Sequence, residues 1–122
     1  MALSVAIIGA SHKAQRYSHK AQVMLMDYEH KVFPVSGNGR EILGVEGYKT
    51  VREISHPVDT VTLYLNADLH EAIKYDMLDL KPRRIIFNPG TESTQLMQHY
   101  QKHGIETLEA CTLVMLRTNQ FE

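Results

Sequence analysis

"VAIIGASHKAQRYSHK" runs from Val5 to Lys20. Its first four residues are apolar at successive positions, which is the pattern of a strand covered on both faces. A glycine follows at Gly9, then the small pair Ala10 and Ser11, then the cations Lys13, Arg16 and Lys20. Beyond them Ala21, Met24, Leu25 and Tyr28 fall at i, i+3, i+4 and i+7. That spacing predicts a helix with one buried stripe, for which Ser18 is the expected N-cap. Strand, glycine turn and helix in this order form the opening unit of a parallel α/β sheet.

The same alternation continues along the chain. "KVFPV" (Lys31 to Val35) reads as a second strand, with Pro34 expected near its end because proline cannot donate to a ladder. "SGNGREILGVEG" (Ser36 to Gly47) holds four glycines and reads as a loop, and "TVREI" is at most a short helix. "DTVTLYL" (Asp59 to Leu65) is a third strand. Asp68 and Glu71 have the spacing of a capping box, ahead of a helical stripe of Leu69, Ala72, Ile73, Met77 and Leu80. "RIIF" is a fourth strand, followed by "NPGT" and a helix from Thr91 to His103, closed by Gly104. "IETLE" is a weak fifth strand, and "ACTLVMLRT" a short docked helix. Short apolar strands joined by helical crossovers require parallel pairing. The expectation is a doubly wound three-layer α/β domain over residues 1–122, five parallel strands in the order 3-2-1-4-5.

Length and composition narrow the function. At 122 residues the chain makes one domain, and 43% hydrophobic with 22% charged residues is ordinary for a soluble globular protein. A net charge of -1 supplies no global field toward nucleic acid or membrane. Charge is local: Met1 to Met26 contain no acid, and the first is Asp27. Cys111 is the single cysteine, which excludes a disulfide framework and a cysteine-rich zinc site. No apolar run has the length of a membrane span, and "MALS" lacks a basic leader, so a cytoplasmic protein is expected.

In a doubly wound sheet, ligands bind beyond the carboxyl ends of the strands where the strand order reverses. Gly9 stands there, with Lys13 and Arg16 beside a helix start whose N–H groups favour an anion. One glycine after a strand is also a plain turn, but the acid-free run tips the reading toward a phosphate site. The dinucleotide pattern G-x-G-x-x-G is broken by Ser11 and Ala14, and no P-loop is present. After strand two, an NAD site has an acid for the ribose. This chain has Ser36, Gly37, Asn38, Gly39 and Arg40, which suits a ribose carrying a phosphate or is a flexible connector. Leu65 and Asn66 end strand three and can cover and hydrogen-bond a base, or serve as core and helix cap. Asn88 to Thr91 is a second glycine turn before a helix. His99 and His103 stand four apart on a helix, without the glutamate of a zincin, and read as surface histidines rather than a metal pair. Cys111 reads as a buried inert thiol.

The order and spacing of several stretches resemble one family, the small stand-alone CoA-binding domain proteins. Those are related to the N-terminal CoA-binding domain of the succinyl-CoA synthetase α subunit. "VAIIGAS" with Arg16 and Ser18 looks like the family's first strand and phosphate loop. "KVFPVSGNGREILGVEGYKTVREISHPVDTVTLYL" looks like its long middle signature, and "IIFNPGTE" and "EACTLVMLRTNQF" like the fourth strand turn and tail of one branch. The resemblance implies a Rossmann-like fold and CoA or an acyl-CoA as ligand. It implies that Gly9, Ala10 and Ser11 wrap the diphosphate, with Arg16 near phosphate and Ser36 near the ribose. Leu65 and Asn66 would contact the adenine end, and Asn88, Pro89 and Gly90 the pantetheine side. Lys13 and Arg40 are added on charge alone. Many relatives read PVNP after strand two where this chain reads "PVSGNG". The expected role is a non-catalytic or regulatory binding module, taking a small nucleotide ligand and neither nucleic acid nor membrane. The rivals are an NAD(P)-binding oxidoreductase domain that needs a partner, and a protein-interaction subunit without ligand.

Overall fold

The computed structural model describes residues 2–122. Its strands are β1 (Ser4–Ile8), β2 (Lys31–Val35), β3 (Thr60–Leu63), β4 (Arg84–Phe87) and β5 (Glu106–Glu109). Every pairing between them is parallel. The apolar run of β1 is explained by burial on both sides. Val5 and Ile7 pack on one face of the sheet, Ala6 and Ile8 on the other. Helices α1 (Tyr17–Asp27) and α5 (Thr112–Arg117) cover the first face through Leu25, Met115 and Leu116. The second face is covered by a 3-10 turn (Val51–Glu53), α3 (Lys74–Leu80) and α4 (Thr94–Lys102), through Val51, Met77, Leu96 and Tyr100. The short helix α2 (Ala67–Glu71) precedes α3. The doubly wound three-layer α/β architecture with five parallel strands is therefore the one expected.

The order across the sheet is β2-β1-β3-β4-β5. The third strand lies beside the first, not outside the second as in 3-2-1-4-5. Pro34 gives the physical reason. It has no N–H, so the strand that holds it belongs at an edge. The Pro34 carbonyl faces outward and accepts from Tyr48 N at 2.9 Å, and Ser36 N returns a bond to the Tyr48 carbonyl at 2.9 Å. A single residue of the loop thus protects the edge that a full strand would occupy in the other order. From β2 the chain crosses back over β1 on the face opposite α1. The two crossovers run in opposite directions on opposite faces, so they share one hand.

Three helix starts differ from expectation. Ser18 is not the cap of α1; Arg16 is, and its carbonyl accepts from His19 N and Lys20 N at 3.1 Å. Ser18 lies inside the helix and is buried. The expected helix through Asp68–Leu80 is two helices, with Ile73 (φ -116°, ψ 8°) at the break. Asn66 rather than Asp68 caps the first, its Oδ1 accepting from Leu69 N at 3.0 Å. Ser93 caps α4, so that helix begins three residues later than Thr91.

Candidate functional site

In the order β2-β1-β3-β4-β5 the winding reverses between β1 and β3. Two adjoining clefts open there, beyond the carboxyl ends of the strands. The larger holds about 420 Å³ and has an apolar lining that includes Ile8, Val35, Val51, Leu65, Leu69 and Ile73. Its polar positions are Ser36, Lys49, Thr50 and Asp76. The smaller holds about 200 Å³ and is ringed by Ser11, His12, Lys13, Arg16, Asn38 and Arg40. Ala10 and Ser36 line both clefts, so the two meet over the ends of β1 and β2.

The junction is built by backbone hydrogen bonds. Gly9 N and Ala10 N both donate to the Val35 carbonyl at 3.0 Å, which ties β1 to β2 under the clefts. Those two N–H groups are therefore engaged within the sheet. Gly9 has φ +88°, and a Cβ on it would lie 2.9 Å from the Tyr64 carbonyl oxygen. Its need for glycine therefore comes from the close approach of β1 to the end of β3. The start of α1 stays open: no side chain caps it, and no acid stands in its first turn. With Lys13, Arg16 and Arg40 around the small cleft, and no acid among its lining residues, that cleft attracts anions.

The loop after β2 is folded by its own polar groups. The Ser36 hydroxyl donates to Asn38 Oδ1 at 2.9 Å, and Arg40 N donates to the same oxygen at 3.0 Å. Gln22 of α1, fully buried, donates from Nε2 to the Ile42 carbonyl at 3.0 Å and holds the loop against the helix. The pairing of Tyr48 with β2 then brings Lys49, Thr50 and Val51 to the cleft wall.

Of the residues singled out in the sequence, Gly9, Ala10, Ser11, Lys13, Arg16, Ser36, Arg40 and Leu65 line one cleft or both. Asn66, Asn88, Pro89 and Gly90 line neither. Asn66 is occupied as the cap of α2. Asn88 is buried, and its side chain is fully used. Nδ2 donates to Thr62 Oγ1 at 2.8 Å and to the Leu63 carbonyl at 3.0 Å, and Oδ1 accepts from Thr112 N at 2.9 Å. Lys49, Thr50, Leu69, Ile73 and Asp76 were not read as site residues. Leu69 and Ile73 belonged to the expected core stripe, yet Leu69 is 58% exposed because it faces the cleft.

Behind Leu69, on the core side of α2, His70 is fully buried and bonds through Nε2 to the Tyr100 hydroxyl at 2.6 Å. Burial pushes its pKa down to about 4; Glu71 opposes that shift and His99 adds to it. Burial likewise pushes the Tyr64 phenol up to about 12. The His99 and His103 rings lie 5.2 Å apart, His103 Nδ1 is 2.9 Å from the His99 carbonyl oxygen, and no cluster of three metal-ligating side chains occurs among the described residues. Cys111 is half-buried at the start of α5 rather than enclosed in the core. Among the described residues no helix is long and apolar enough to cross a membrane.

Known proteins share this fold. An uncharacterized protein of known crystal structure is 37% identical, with a TM-score of 0.94 over 99% of both chains. A conserved hypothetical protein from Pyrococcus furiosus is 26% identical, with a TM-score of 0.84 over 92% of this chain and 97% of that one. The dinucleotide forming acetyl-coenzyme A synthetase 1 of Ca. Korarchaeum cryptofilum has the same fold in one quarter of its length. It matches at 18% identity and a TM-score of 0.75, over 86% of this chain and 25% of its own. Among curated proteins, the uncharacterized protein YneT of Bacillus subtilis (strain 168) is 25% identical over 75 residues, which are 62% of this chain. That match spans only 56% of YneT. The model of the CoA binding domain matches residues 3–117, and the chain accordingly belongs to the CoA binding domain family.

Proposed function

We propose that the protein is a binding module for CoA or an acyl-CoA, without a catalytic step of its own. The observation that carries this reading is the pair of clefts: one apolar, one cationic, joined at Ala10 and Ser36 where the strand order reverses. An adenine fits the apolar side, with Leu65 against one of its faces. The diphosphate then falls among Lys13, Arg16, Arg40 and the uncapped start of α1, and Ser36 stands at the ribose between them. Among the described residues, no cleft hydroxyl is paired with a histidine. Ser36 is bonded to Asn38, Ser11 Oγ accepts from Lys13 N, and Thr50 Oγ1 accepts from Arg52 N. This favours binding over nucleophilic catalysis. A cytoplasmic setting is consistent with the free cysteine Cys111.

Isothermal titration of the protein with CoA, acetyl-CoA and NAD tests the reading. CoA or its acetyl form should bind, and NAD should bind more weakly than either, because no acid follows β2 to take the ribose hydroxyls. Tightest binding of NAD would overturn the assignment. Mass spectrometry of small molecules released from gently purified protein is the companion measurement, with a CoA species as the expected result.

A further inference from the structure

We propose that Lys49 is the residue that selects a ligand carrying a phosphate on its ribose, and that Arg40 serves the diphosphate instead. This rests on the reading of the paired clefts as a CoA site. The structure separates the site's cations into two places. Lys13, Arg16 and Arg40 ring the small cleft, whereas Lys49 is the one lysine or arginine on the large apolar cleft. A nucleotide with its base in the large cleft and its diphosphate in the small one places its ribose over Ala10 and Ser36. A phosphate on that ribose is a second anionic centre, apart from the diphosphate, and it needs a cation on the side of the base.

Lys49 is held in place for that task. Tyr48 is fixed to the edge of β2 by two backbone hydrogen bonds, and Lys49 N donates to Glu53 Oε1 at 2.8 Å. The lysine stem lies against Gly39, which has φ +64°; a Cβ at that position would stand 2.7 Å from Lys49 Cγ. Gly39 therefore leaves the groove along which the stem runs. The Lys49 ammonium forms no ion pair among the described residues. Asp76 on α3 is the single acid among the described residues lining either cleft, which disfavours a phosphate near that helix, while the Glu53 carboxylate beside Lys49 is engaged by Lys49 N at 2.8 Å.

Titration calorimetry with CoA and with 3′-dephospho-CoA tests the assignment, using Lys49→Met, which keeps the stem, and Arg40→Ala. Wild-type protein should prefer CoA. Lys49→Met should weaken CoA binding about tenfold, the effect of losing one charge-assisted contact. It should leave dephospho-CoA within roughly twofold, so that the preference collapses. Arg40→Ala should weaken both ligands alike. A second route to the same end is Gly39→Ala, which keeps the charge but displaces the stem, and should reduce the preference for CoA. A preference that survives Lys49→Met, or one abolished by Arg40→Ala instead, overturns the role of Lys49 and leaves the CoA site standing. Wild-type protein that binds neither ligand overturns the CoA site and the role of Lys49 together.

Discussion

Gly9 meets the Tyr64 carbonyl where any other residue would carry its Cβ. Gly9→Val should therefore destabilise the protein before any ligand is considered. The backbone conformation and the clash together are expected to cost at least about 2 kcal/mol. Denaturant unfolding of the ligand-free protein measures this, and a midpoint equal to wild type would mean that the β1 turn opens at no cost. His70 gives a second effect legible at one residue. Its pKa is about 4 in the folded protein against 6.5 ordinarily. The neutral form is thus favoured by folding. Its contribution is complete above pH 6.5 and is lost as pH falls toward 4. That window is worth roughly 3 kcal/mol for a fully buried ring. The double variant His70→Phe with Tyr100→Phe, which removes both members of the hydrogen bond, should flatten the fall in melting temperature across the window. An unchanged slope would place the titration elsewhere. The sequence marks Gly9 as a turn residue but not which neighbour forbids a side chain, since Tyr64 is distant along the chain. His70 was indistinguishable from a helix-surface histidine until Tyr100 and Phe87 closed around it.

The elements were readable to the extent that local pattern decides them. β1 and β4 announce themselves by the apolar runs of residues 5–8 and 85–87, and α5 as an apolar segment docked on the sheet. The α2–α3 break was not readable. Leu69, Ile73 and Met77 keep helical spacing, yet only Met77 is fully buried, while Leu69 and Ile73 line the cleft, Ile73 also packing against the core. A ligand wall and a core stripe have the same periodicity in sequence. The "NPGT" turn reads in sequence as a second backbone donor site, and the structure adds that the Asn88 side chain is a joint between elements. Its three side-chain bonds connect β4 to β3 and to the first turn of α5, and Thr62 Oγ1 meets Thr112 Oγ1 at 2.8 Å in the same cluster. Asn88→Ala should lower stability by about 2–4 kcal/mol, because it leaves the buried Thr112 N–H without its acceptor and takes a donor from Thr62 Oγ1 and the Leu63 carbonyl. The loss should appear in hydrogen exchange as faster opening of α5, and unchanged protection there would remove Asn88 as the tie.

For the molecule as a whole, alternation of strand and helix was enough to settle a parallel three-layer sheet. The order of its strands depends on where a chain segment without a full helix returns, and no periodicity records that. Pro34 carried the information: its missing N–H requires an edge, which the order β2-β1-β3-β4-β5 supplies. The placement of Lys49 and Thr50 follows from the same return, by way of the Tyr48 bridge, so their role could not be read from neighbours in sequence.

The tie of Gly9 N and Ala10 N to the Val35 carbonyl has a kinetic corollary. The floor of the joined clefts is complete without an occupant, so entry needs no prior opening of the sheet. Association should then be a single step. Its observed rate should rise linearly with ligand concentration in stopped-flow fluorescence with a labelled CoA, and should slow as salt screens the cationic rim. A rate that levels off at high concentration would instead expose a gate, and the loop from Ser36 to Gly47, pinned to α1 by Gln22, would be the part that swings.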